Sequence, residues 1–235
     1  MGNVIGKRFS VLDKGWVELV DVMPHPDSDI SGDLAIVNAA RVSFLGESKG
    51  DKQDKKLLFY LMEHHHTSPF EMVEFKFRVH APLVVWWQWA RHRTWSFNMQ
   101  SGRYTPFEED EFYVPHVWRK QSHDNKQASD GILPLKDSAT LTQQLDDYIN
   151  VGYKLYQQAI DLGVAREMAR LFIPAFGVYY TGVVKVDAHN LMNFFQLRRA
   201  SDAQYEIRVY ADIMYYEFFK PTLQWTAEAF EEYRM

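Results

Sequence analysis

The sequence predicts a single α+β domain, and two observations lead to this prediction. Residues 70–80 alternate apolar and polar side chains, as a half-buried strand does, whereas most of the chain beyond residue 131 has apolar residues at helical spacing. A length of 235 residues is enough to bury a sizeable core. Because there is no internal repeat and no linker between two self-sufficient cores, we assign residues 1–235 to one domain.

The first third of the chain predicts a hairpin, two helices and a strand. Residues 9–22 alternate loosely around the turn triplet Asp13-Lys14-Gly15, which indicates a hairpin. Helices are expected at 35–44 and 55–65. In the strand at 70–80 the odd-numbered apolar residues share the core face. Its even-numbered face turns polar along its length, so this face meets either solvent, which we prefer, or a polar cleft.

The following segments change character several times. Pro82 is well placed to open a helix that includes residues 84–91. Residues 91–104 have no clear periodicity and many polar side chains, which indicates a functional loop or an irregular helix end. The polar stretch at 119–131 is expected to be a surface excursion. The remainder predicts a short strand near 178–186 and helices near 138–162, 164–173, 187–199, 202–219 and 221–233.

The composition excludes several classes of chemistry. The chain has no cysteine, so disulfides, metal-thiolate sites and thiolate nucleophiles are excluded. The net charge of −5 is opposite to that of a typical duplex-binding protein. No apolar stretch approaches the roughly 18 residues that cross a bilayer. We therefore expect a soluble, cytoplasmic protein that binds neither nucleic acid nor membranes.

Arginine is the expected phosphate ligand, because no glycine-rich phosphate motif is present. Arg91, Arg93 and Arg103 lie in one short segment, with serine, asparagine and glutamine residues between them. Guanidinium groups bind phosphate bidentately, and the neutral side chains suit a sugar or a base. The alternative is a solvated loop whose arginines pair with the acidic run at 108–111.

Two later segments place polar residues where they need partners. Arg166 and Arg170 lie four residues apart and repel each other unless an anion lies between them, although Glu167 can relieve the repulsion. Asn193 and Arg198 interrupt an apolar helix, where a buried polar group needs a partner from the protein or from a ligand. In both segments a purely structural role is the alternative.

The run His64-His65-His66 has the composition of a metal site but not its geometry. Successive helical residues point about 100° apart, so the three rings cannot converge on one ion if the helix continues. We expect a helix-end surface run and no metal. His66 also begins a strand-entry loop, where polar residues can line a cleft. Among the many aromatic residues, Trp89 and Trp95 are candidates to stack on a planar ligand ring.

Taken together, the segment RHRTWSFNMQSGRY resembles the signature of the flavin-dependent thymidylate synthases, an Arg-His-Arg followed by seven residues and a serine. In this chain the signature runs from Arg91 to Ser101. Three further segments occur in the order typical of the family: DKGWVELVDVM at 13–23, HTSPFE at 66–71 and LMNFFQLR at 191–198. The resemblance thus extends from about residue 9 to the last helices.

The resemblance implies a fold, an assembly and a reaction. The fold is α+β with a central, mostly antiparallel sheet flanked by helices, and the assembly is a homotetramer whose active sites are shared between subunits. The reaction is the reductive methylation of dUMP to dTMP, with methylenetetrahydrofolate as carbon donor, NADPH as reductant and FAD as carrier. The absence of cysteine suits this route, because a flavin replaces the thiolate addition that the other class of thymidylate synthase uses.

The resemblance also implies roles for individual residues. FAD would be bound by Arg91, His92 and Arg93, and neighbouring chains would complete its site with Ser68, Asp187, Ala188, His189 and Asn193. His66 would lie near the flavin and folate side. The residues that would hold dUMP are Gln88, Trp89, Ala90, Arg91, Gln100, Ser101, Gly102, Arg103, Arg170 and Arg198. Arg198 would also be the catalytic residue that favours ionisation of the uracil N3, a task that suits a permanently charged guanidinium.

Two residues depart from the family pattern, and two other functions stay open. Met99 stands where glutamate is usual, and a thioether neither accepts strong hydrogen bonds nor carries charge. Asp187 stands where asparagine is common, and a carboxylate suits an anionic cofactor poorly unless it binds a sugar hydroxyl. One alternative is a family member that binds FAD and nucleotide with lost or weakened synthase activity. The other is a single-stranded nucleic-acid binder that uses residues 86–104.

Overall fold

The computed structural model describes residues 4–109 and 111–234. The strands of its central sheet are β1 (Arg8–Val11), β2 (Gly15–Met23), β3 (Glu74–Pro82), β4 (Ser96–Met99) and β7 (Tyr179–Asp187). They lie in the order β1-β2-β3-β7-β4, and every neighbouring pair is antiparallel. A separate antiparallel hairpin consists of β5 (Arg119–Gln121) and β6 (Ser129–Ile132).

Helices flank this sheet and confirm the predicted α+β class. They are α1 (Gly32–Arg41), α2 (Asp51–Glu63), α3 (Leu83–Trp89), α4 (Leu135–Asp161), α5 (Arg166–Ala169), α6 (Ala188–Arg198), α7 (Tyr205–Ile213), α8 (Lys220–Thr222) and α9 (Gln224–Tyr233). A π-helical segment, Met214–Phe219, continues α7, and 3-10 turns occur at Val42–Phe44, Ser68–Met72 and Arg170–Phe172. Within the described ranges, no helix has both the length and the apolar character needed to span a membrane.

The alternation in β3 determines how the sheet packs. The odd-numbered apolar residues of this segment are fully buried, as predicted: Val73, Phe75, Phe77 and Val79. On the other face, the exposed Lys76 and Arg78 form ion pairs with acidic residues of β2, so this face meets solvent as we preferred. His80 is the exception, because it is buried and stacks on both Trp16 and Tyr179.

The predicted turn between the first two strands is also confirmed. Leu12 adopts a positive φ of 58° at the end of β1, and β2 begins at Gly15. A Cβ atom at Gly15 would lie 1.9 Å from the Tyr210 hydroxyl oxygen and 2.7 Å from the Val11 carbonyl oxygen. Only glycine fits there, because the second of these contacts is with backbone that cannot move aside.

Several expectations differ from the structure for local reasons. The irregular segment at 91–104 contains β4, which alternates polar and apolar residues but is only four residues long and mostly exposed. The excursion at 119–131 is largely exposed as predicted, but it forms the β5–β6 hairpin, whose only apolar strand residue is Ile132. The helix expected at 164–173 is only α5 and a 3-10 turn, because Pro174 favours an extended conformation at the residue before it. Residues 70–72 belong to a 3-10 turn that Pro69 initiates.

Two hydrophobic clusters connect the helices to the sheet. The larger cluster fills the space between the sheet and helices that include α6, α7 and α9. The smaller cluster lies beneath α4 and includes Phe112, Tyr156 and Val178. Leu83 and Tyr180 pack against both clusters. Because Leu83 is the first residue of α3, this packing fixes the helix whose other end carries the Arg-His-Arg signature.

Candidate active site

The ends of α3 and α6 bring together three polar side chains that lie far apart in the sequence. Arg198, the last residue of α6, donates from Nε to Nε2 of His92 at 2.9 Å. Its two terminal nitrogens donate to Gln88, one to the side-chain Oε1 and one to the backbone carbonyl, both at 3.2 Å. Two of the five guanidinium N–H groups therefore have no partner among the described residues and are available to a ligand.

His92 is neutral in this arrangement. Its Nε2 can accept a hydrogen bond from Arg198 only through a lone pair, so the ring proton is assigned to Nδ1. Burial, and then the charge of Arg198, lowers the pKa of His92 to about 4. Phe194 packs against the imidazole in a T-shaped contact with ring centroids 5.0 Å apart. His92 thus holds Arg198 in place without adding a second positive charge.

The surroundings of Arg198 are strongly positive. Burial, and then the charge of Arg91, lowers the pKa of Arg198, but a guanidinium group starts from so high a value that it stays protonated. Arg91 and Arg93 are exposed, and neither guanidinium group forms a hydrogen bond or an ion pair within residues 4–109 and 111–234. The free guanidinium group of Arg91 beside a charged Arg198 favours an anionic ligand.

A second group of arginines lies where α5 meets the loop after β4. Arg103 forms an ion pair with Glu167 at 3.1 Å, and Arg170 donates to the backbone carbonyl of Glu167 at 3.2 Å. Arg166 donates to a backbone carbonyl of the loop at 2.7 Å. Of the arginines expected to pair with the acidic run at 108–111 in the alternative interpretation, Arg103 pairs with Glu167 instead, and neither Arg91 nor Arg93 pairs with a described residue of the run. Three guanidinium groups with one carboxylate between them suit a phosphate.

Met99, which departs from the family pattern, and its neighbour Gln100 determine which hydrogen-bonding groups lie at this edge of the site. Gln100 is bound to Thr181 twice: its backbone N–H donates to the carbonyl at 2.8 Å, and its Oε1 accepts from the amide at 3.3 Å. Only the side-chain NH₂ group of Gln100 is then free to donate. Met99 is half-buried and packs against the larger hydrophobic cluster. This edge of the site therefore offers hydrogen-bond donors where a glutamate would offer an acceptor.

The turn that follows positions the end of the signature. Ser101 Oγ accepts from the backbone N–H of Arg103 at 3.3 Å, which bends the chain at this point. A Cβ atom at Gly102 would lie 2.7 Å from the buried ring of Phe107. Gly102 is thus required for close packing, and any ligand contact it makes comes from its backbone.

The other end of α6 carries a separate group of candidate residues. Asp187 caps the helix, because its Oδ1 accepts from the backbone N–H of Asn190 at 2.9 Å and its Oδ2 accepts from the Asn190 side chain at 2.7 Å. The carboxylate is therefore satisfied within the chain, which explains how an aspartate is tolerated at this position. Ala188 is fully buried, so only its backbone can reach a ligand.

His189 and Asn193 lie on this helix next to the segment that contains His66 and Ser68. The Asn193 amide lies 3.3 Å from Nε2 of His189. Nδ1 of His189 is buried, lies 3.5 Å from Oε1 of Glu71 and makes no hydrogen bond with any described residue. A buried nitrogen without a partner is costly unless a ligand supplies one. His66 and Ser68 are exposed beside this group.

The two groups do not meet within one chain. His189 and Arg198 lie near opposite ends of α6, about 14 Å apart along its axis at about 1.5 Å per residue. One group thus consists of Gln88, His92 and Arg198 with the neighbouring Arg91, and the other of His189 and Asn193 with the residues around them. A single chain thus has two separate groups of candidate residues.

Two other expectations change. Trp89 is fully buried and Trp95 nearly so, and both rings pack on each other and on Phe194 with centroids 5.1–5.5 Å apart. The expectation that one of them stacks on a ligand is wrong, because their faces are used in the core. The second change concerns the histidine run: the helix expected to continue to residue 65 ends at Glu63, so the three histidines lie after α2 rather than on it. Across the described ranges no group of three histidine or acidic residues could hold a metal ion.

The sequence reasoning missed the opposite side of the Arg198 cleft. Gln88 and Arg198 line a cleft of about 760 Å³ whose other side comes from the β5–β6 hairpin. Arg119, at the start of this hairpin, pairs with the buried Glu206 of α7 at 2.6 Å. The only signal in the sequence was weak: Arg119 and Gln121 lie two residues apart, as residues on one face of a strand do.

These groups fit a flavin nucleotide on two counts. The free guanidinium groups of Arg91 and Arg93 suit its diphosphate. The unpartnered Nδ1 of His189 and the carboxamide of Asn193 suit polar atoms of its rings or sugar.

Comparison with known proteins agrees with this geometry. The family model described as thymidylate synthase complementing protein matches residues 18–221. Relatives named flavin-dependent thymidylate synthase include one from Thermus thermophilus, 46% identical over 95% of this chain and 78% of its own length. Another, from Thermosipho melanesiensis, is 43% identical over 95% of this chain and 93% of its own length.

Solved structures lead to the same family. The UMP/dUMP methylase PolB from Streptomyces cacaoi, bound with 5-Br dUMP, matches with a TM-score of 0.82 and 32% identity over 96% of this chain and 98% of that chain. PolB bound with 5-Br UMP matches with a TM-score of 0.81. Because the family model covers most of the chain and the relatives exceed 40% identity over nearly all of it, the chain belongs to the flavin-dependent thymidylate synthase family.

Proposed function

We propose that this chain catalyses the reductive methylation of dUMP to dTMP, with methylenetetrahydrofolate as the carbon donor, NADPH as the reductant and FAD as the cofactor. The observation that carries the proposal is the guanidinium of Arg198, held by His92 and Gln88 with two N–H groups left for a ligand. The bound flavin would supply the hydride and carry the carbon. The chain supplies binding, orientation and charge.

Arg198 acts on the uracil ring. Its free N–H groups and positive charge stabilise the anion that remains when the N3 proton leaves to solvent. The negative charge spreads through the ring and raises the electron density at C5, the atom that forms the new carbon–carbon bond. His92 and Gln88 fix the guanidinium in advance, so little reorganisation is needed when the charge develops.

The other residues that contact dUMP differ in chemistry: arginines bind its phosphate, and uncharged groups contact its base and sugar. Arg103 and Arg170, on either side of Glu167, bind the phosphate. Arg91 adds charge nearby. The base and the sugar contact polar side chains and exposed backbone at Gln88, Trp89, Ala90, Gln100, Ser101 and Gly102. Trp89 and Gly102 contribute through their backbone, since both are buried.

FAD lies between copies of the chain. Arg91, His92 and Arg93 of one copy bind it together with Ser68, His66, Asp187, Ala188, His189 and Asn193 of others. The separation of about 14 Å along α6 supports this division, because the two groups of residues do not meet within one chain. His92 has its Nδ1 proton free for this contact, since Nε2 is already bound to Arg198.

A homotetramer also accounts for the exposed apolar surface. Tyr148, Val151 and Leu155 lie on one face of α4 and are 61%, 57% and 41% exposed. The segment after α5 adds Leu171 and Phe176, which are 80% and 60% exposed. Contiguous exposed apolar residues are uncommon on monomers and typical of subunit interfaces.

The activity test is direct. Purified protein should show a flavin absorption spectrum and should convert dUMP to dTMP when methylenetetrahydrofolate and NADPH are present. Arg198→Ala should abolish turnover and leave FAD bound, because Arg198 contacts the nucleotide rather than the cofactor. Flavin-loaded wild-type protein that makes no dTMP would refute the proposal, and loss of flavin in the variant would place Arg198 in the cofactor site.

A second candidate function has one observation in its favour. The half-buried Met99 and the engaged Oε1 of Gln100 leave no free acceptor where the family usually has glutamate. A chain that binds FAD and dUMP without completing methylation would fit this feature. NADPH oxidation that depends on dUMP, measured beside dTMP formation, separates the two candidates, because only the working enzyme couples them.

A further inference from the structure

The β5–β6 hairpin lies beside the proposed uracil site, although it is distant from the family signature in the sequence. Together with Gln88 and Arg198, it lines the cleft of about 760 Å³. The hairpin contributes Arg119, Gln121, Gln127 and Ser129 to this lining. A polar excursion that we expected only at the surface is thus part of the wall of the cleft.

The base of the hairpin is fixed by a buried carboxylate. Glu206 is 5% exposed and accepts from Arg119 at 2.6 Å and from Tyr113 at 3.2 Å with one oxygen. Its other oxygen accepts from Gln204 at 3.0 Å. Burial raises the pKa of Glu206, but hydrogen bonds from Arg119 and Gln204 outweigh burial and lower it overall. Because an unpaired buried carboxylate is costly, this contact holds the hairpin against α7.

The remainder of the hairpin is braced by its own side chains. Gln121 Nε2 lies 3.0–3.5 Å from the backbone carbonyls of Ser122, Asn125, Lys126 and Ala128, which closes the turn. Ser129 Oγ accepts from Nε of Arg119 at 3.2 Å. The wall is therefore formed before any ligand arrives, which lowers the entropic cost of binding.

The free groups on this wall are uncharged. Arg119 is neutralised by Glu206, whereas the carboxamide of Gln127 has no partner among the described residues and Ser129 keeps its hydroxyl proton free. A wall without a free cation suits no phosphate. A carboxamide and a hydroxyl instead match the alternating carbonyl and N–H edge of a pyrimidine, and the guanidinium of Arg198 lines the same cleft.

We propose that the β5–β6 hairpin completes the nucleotide site, with Gln127 and Ser129 contacting the pyrimidine that Arg198 holds. This proposal rests on the proposed function, because it takes the Arg198 cleft as the uracil site. It assigns the hairpin a role in nucleotide affinity and leaves flavin binding to other residues.

The test measures dUMP binding to the flavin-loaded protein by titration calorimetry. Gln127→Ala removes an exposed side chain with little risk to folding and should weaken dUMP binding about 3- to 10-fold, the loss expected for one hydrogen bond. Ser129→Ala should act in the same direction. Lys120→Ala is the matched control: Lys120 is exposed on β5 of the same hairpin but does not line the cleft, although its neighbours Arg119 and Gln121 do. Its dUMP affinity and flavin content should equal those of the wild type.

Two results would overturn the proposal. Unchanged dUMP affinity in both cleft variants would show that the hairpin is only scaffold. Unchanged dUMP affinity with a raised KM for methylenetetrahydrofolate would assign the hairpin to the carbon donor. Failure of the proposed function looks different, since wild-type protein would then bind dUMP and make no dTMP, while the difference in dUMP affinity between Gln127→Ala and Lys120→Ala would remain.

Discussion

At the scale of single residues, the neutral imidazole of His92 is the contact that most directly supports Arg198. Two substitutions separate its ring nitrogens. His92→Gln can place its amide oxygen near Nε2 and keep an acceptor for Arg198, whereas His92→Asn can place its amide N–H near Nδ1 and loses that acceptor. We expect His92→Asn to retain flavin and to lose at least about 10-fold in kcat, with His92→Gln retaining more of the wild-type kcat.

Flavin content and kcat must be measured together for this comparison. A merely structural role for His92 would lower protein yield, flavin content and kcat alike in both variants. Equal kcat values for the two variants at equal flavin content would show that the Nε2 acceptor does not position Arg198.

The low pKa of His92 also makes folding depend on pH. Its pKa falls from about 6.5 in the unfolded chain to about 4 in the folded chain. Below pH 6.5 the unfolded chain binds a proton that the folded chain refuses, so the contribution of His92 to stability is complete above pH 6.5 and is lost as pH falls toward 4. His92→Gln should therefore lose less stability than wild type between pH 7 and pH 4.5. Urea unfolding across this range measures the difference, and parallel decreases would contradict it.

The signature made part of this residue-scale picture predictable. Arg91, His92, Arg93 and Ser101 could be located from the sequence because their spacing is fixed within one short segment. The hydrogen bond from Arg198 to His92 could not, because it joins residues more than a hundred positions apart and depends on how α6 packs against α3. The burial of Trp89 had the same cause, since a helix rich in tryptophan does not reveal which ring faces the core.

At the scale of secondary-structure elements, Asp187 decides how α6 begins. Its carboxylate caps the backbone N–H of Asn190, and an N-cap is worth about 1 kcal/mol. Asp187→Ala should lower the free energy of unfolding by about that amount, and Asp187→Asn should change it little, because asparagine caps equally well. Denaturant unfolding monitored by circular dichroism compares the two variants. Equal losses would mean that the negative charge, rather than the cap, stabilises the helix.

Elements with strong periodicity were predictable, and those without it were not. The core face of β3 and the apolar stripe of α2 follow directly from alternation and helical spacing. β4 and the β5–β6 hairpin are short and mostly exposed, so neither supplies a hydrophobic pattern long enough to reveal it. They are stabilised instead by partners elsewhere in the chain: β7 pairs with β4, and Glu206 binds the hairpin.

At the scale of the whole molecule, the proposed sharing of the flavin site between copies of the chain can be tested by complementation. If one copy supplies Arg93 and another supplies Asn193, two variants that each lack one group can complement each other. Arg93→Ala and Asn193→Ala should each bind little flavin as homotetramers. Assembled together from equal amounts, they should restore flavin and dTMP formation in about a quarter of the sites, since each site then draws its two groups independently from the mixed copies.

Two preparations of the same variant, mixed and assembled in the same way, are the control for the assembly procedure. The solution mass of the mixture verifies that tetramers have formed. A mixed tetramer that remains as empty of flavin as its parents would show that both groups of one site come from the same chain. That outcome would require one flavin to contact both ends of α6, about 14 Å apart from His189 to Arg198, and would contradict the proposed sharing of the flavin site between copies.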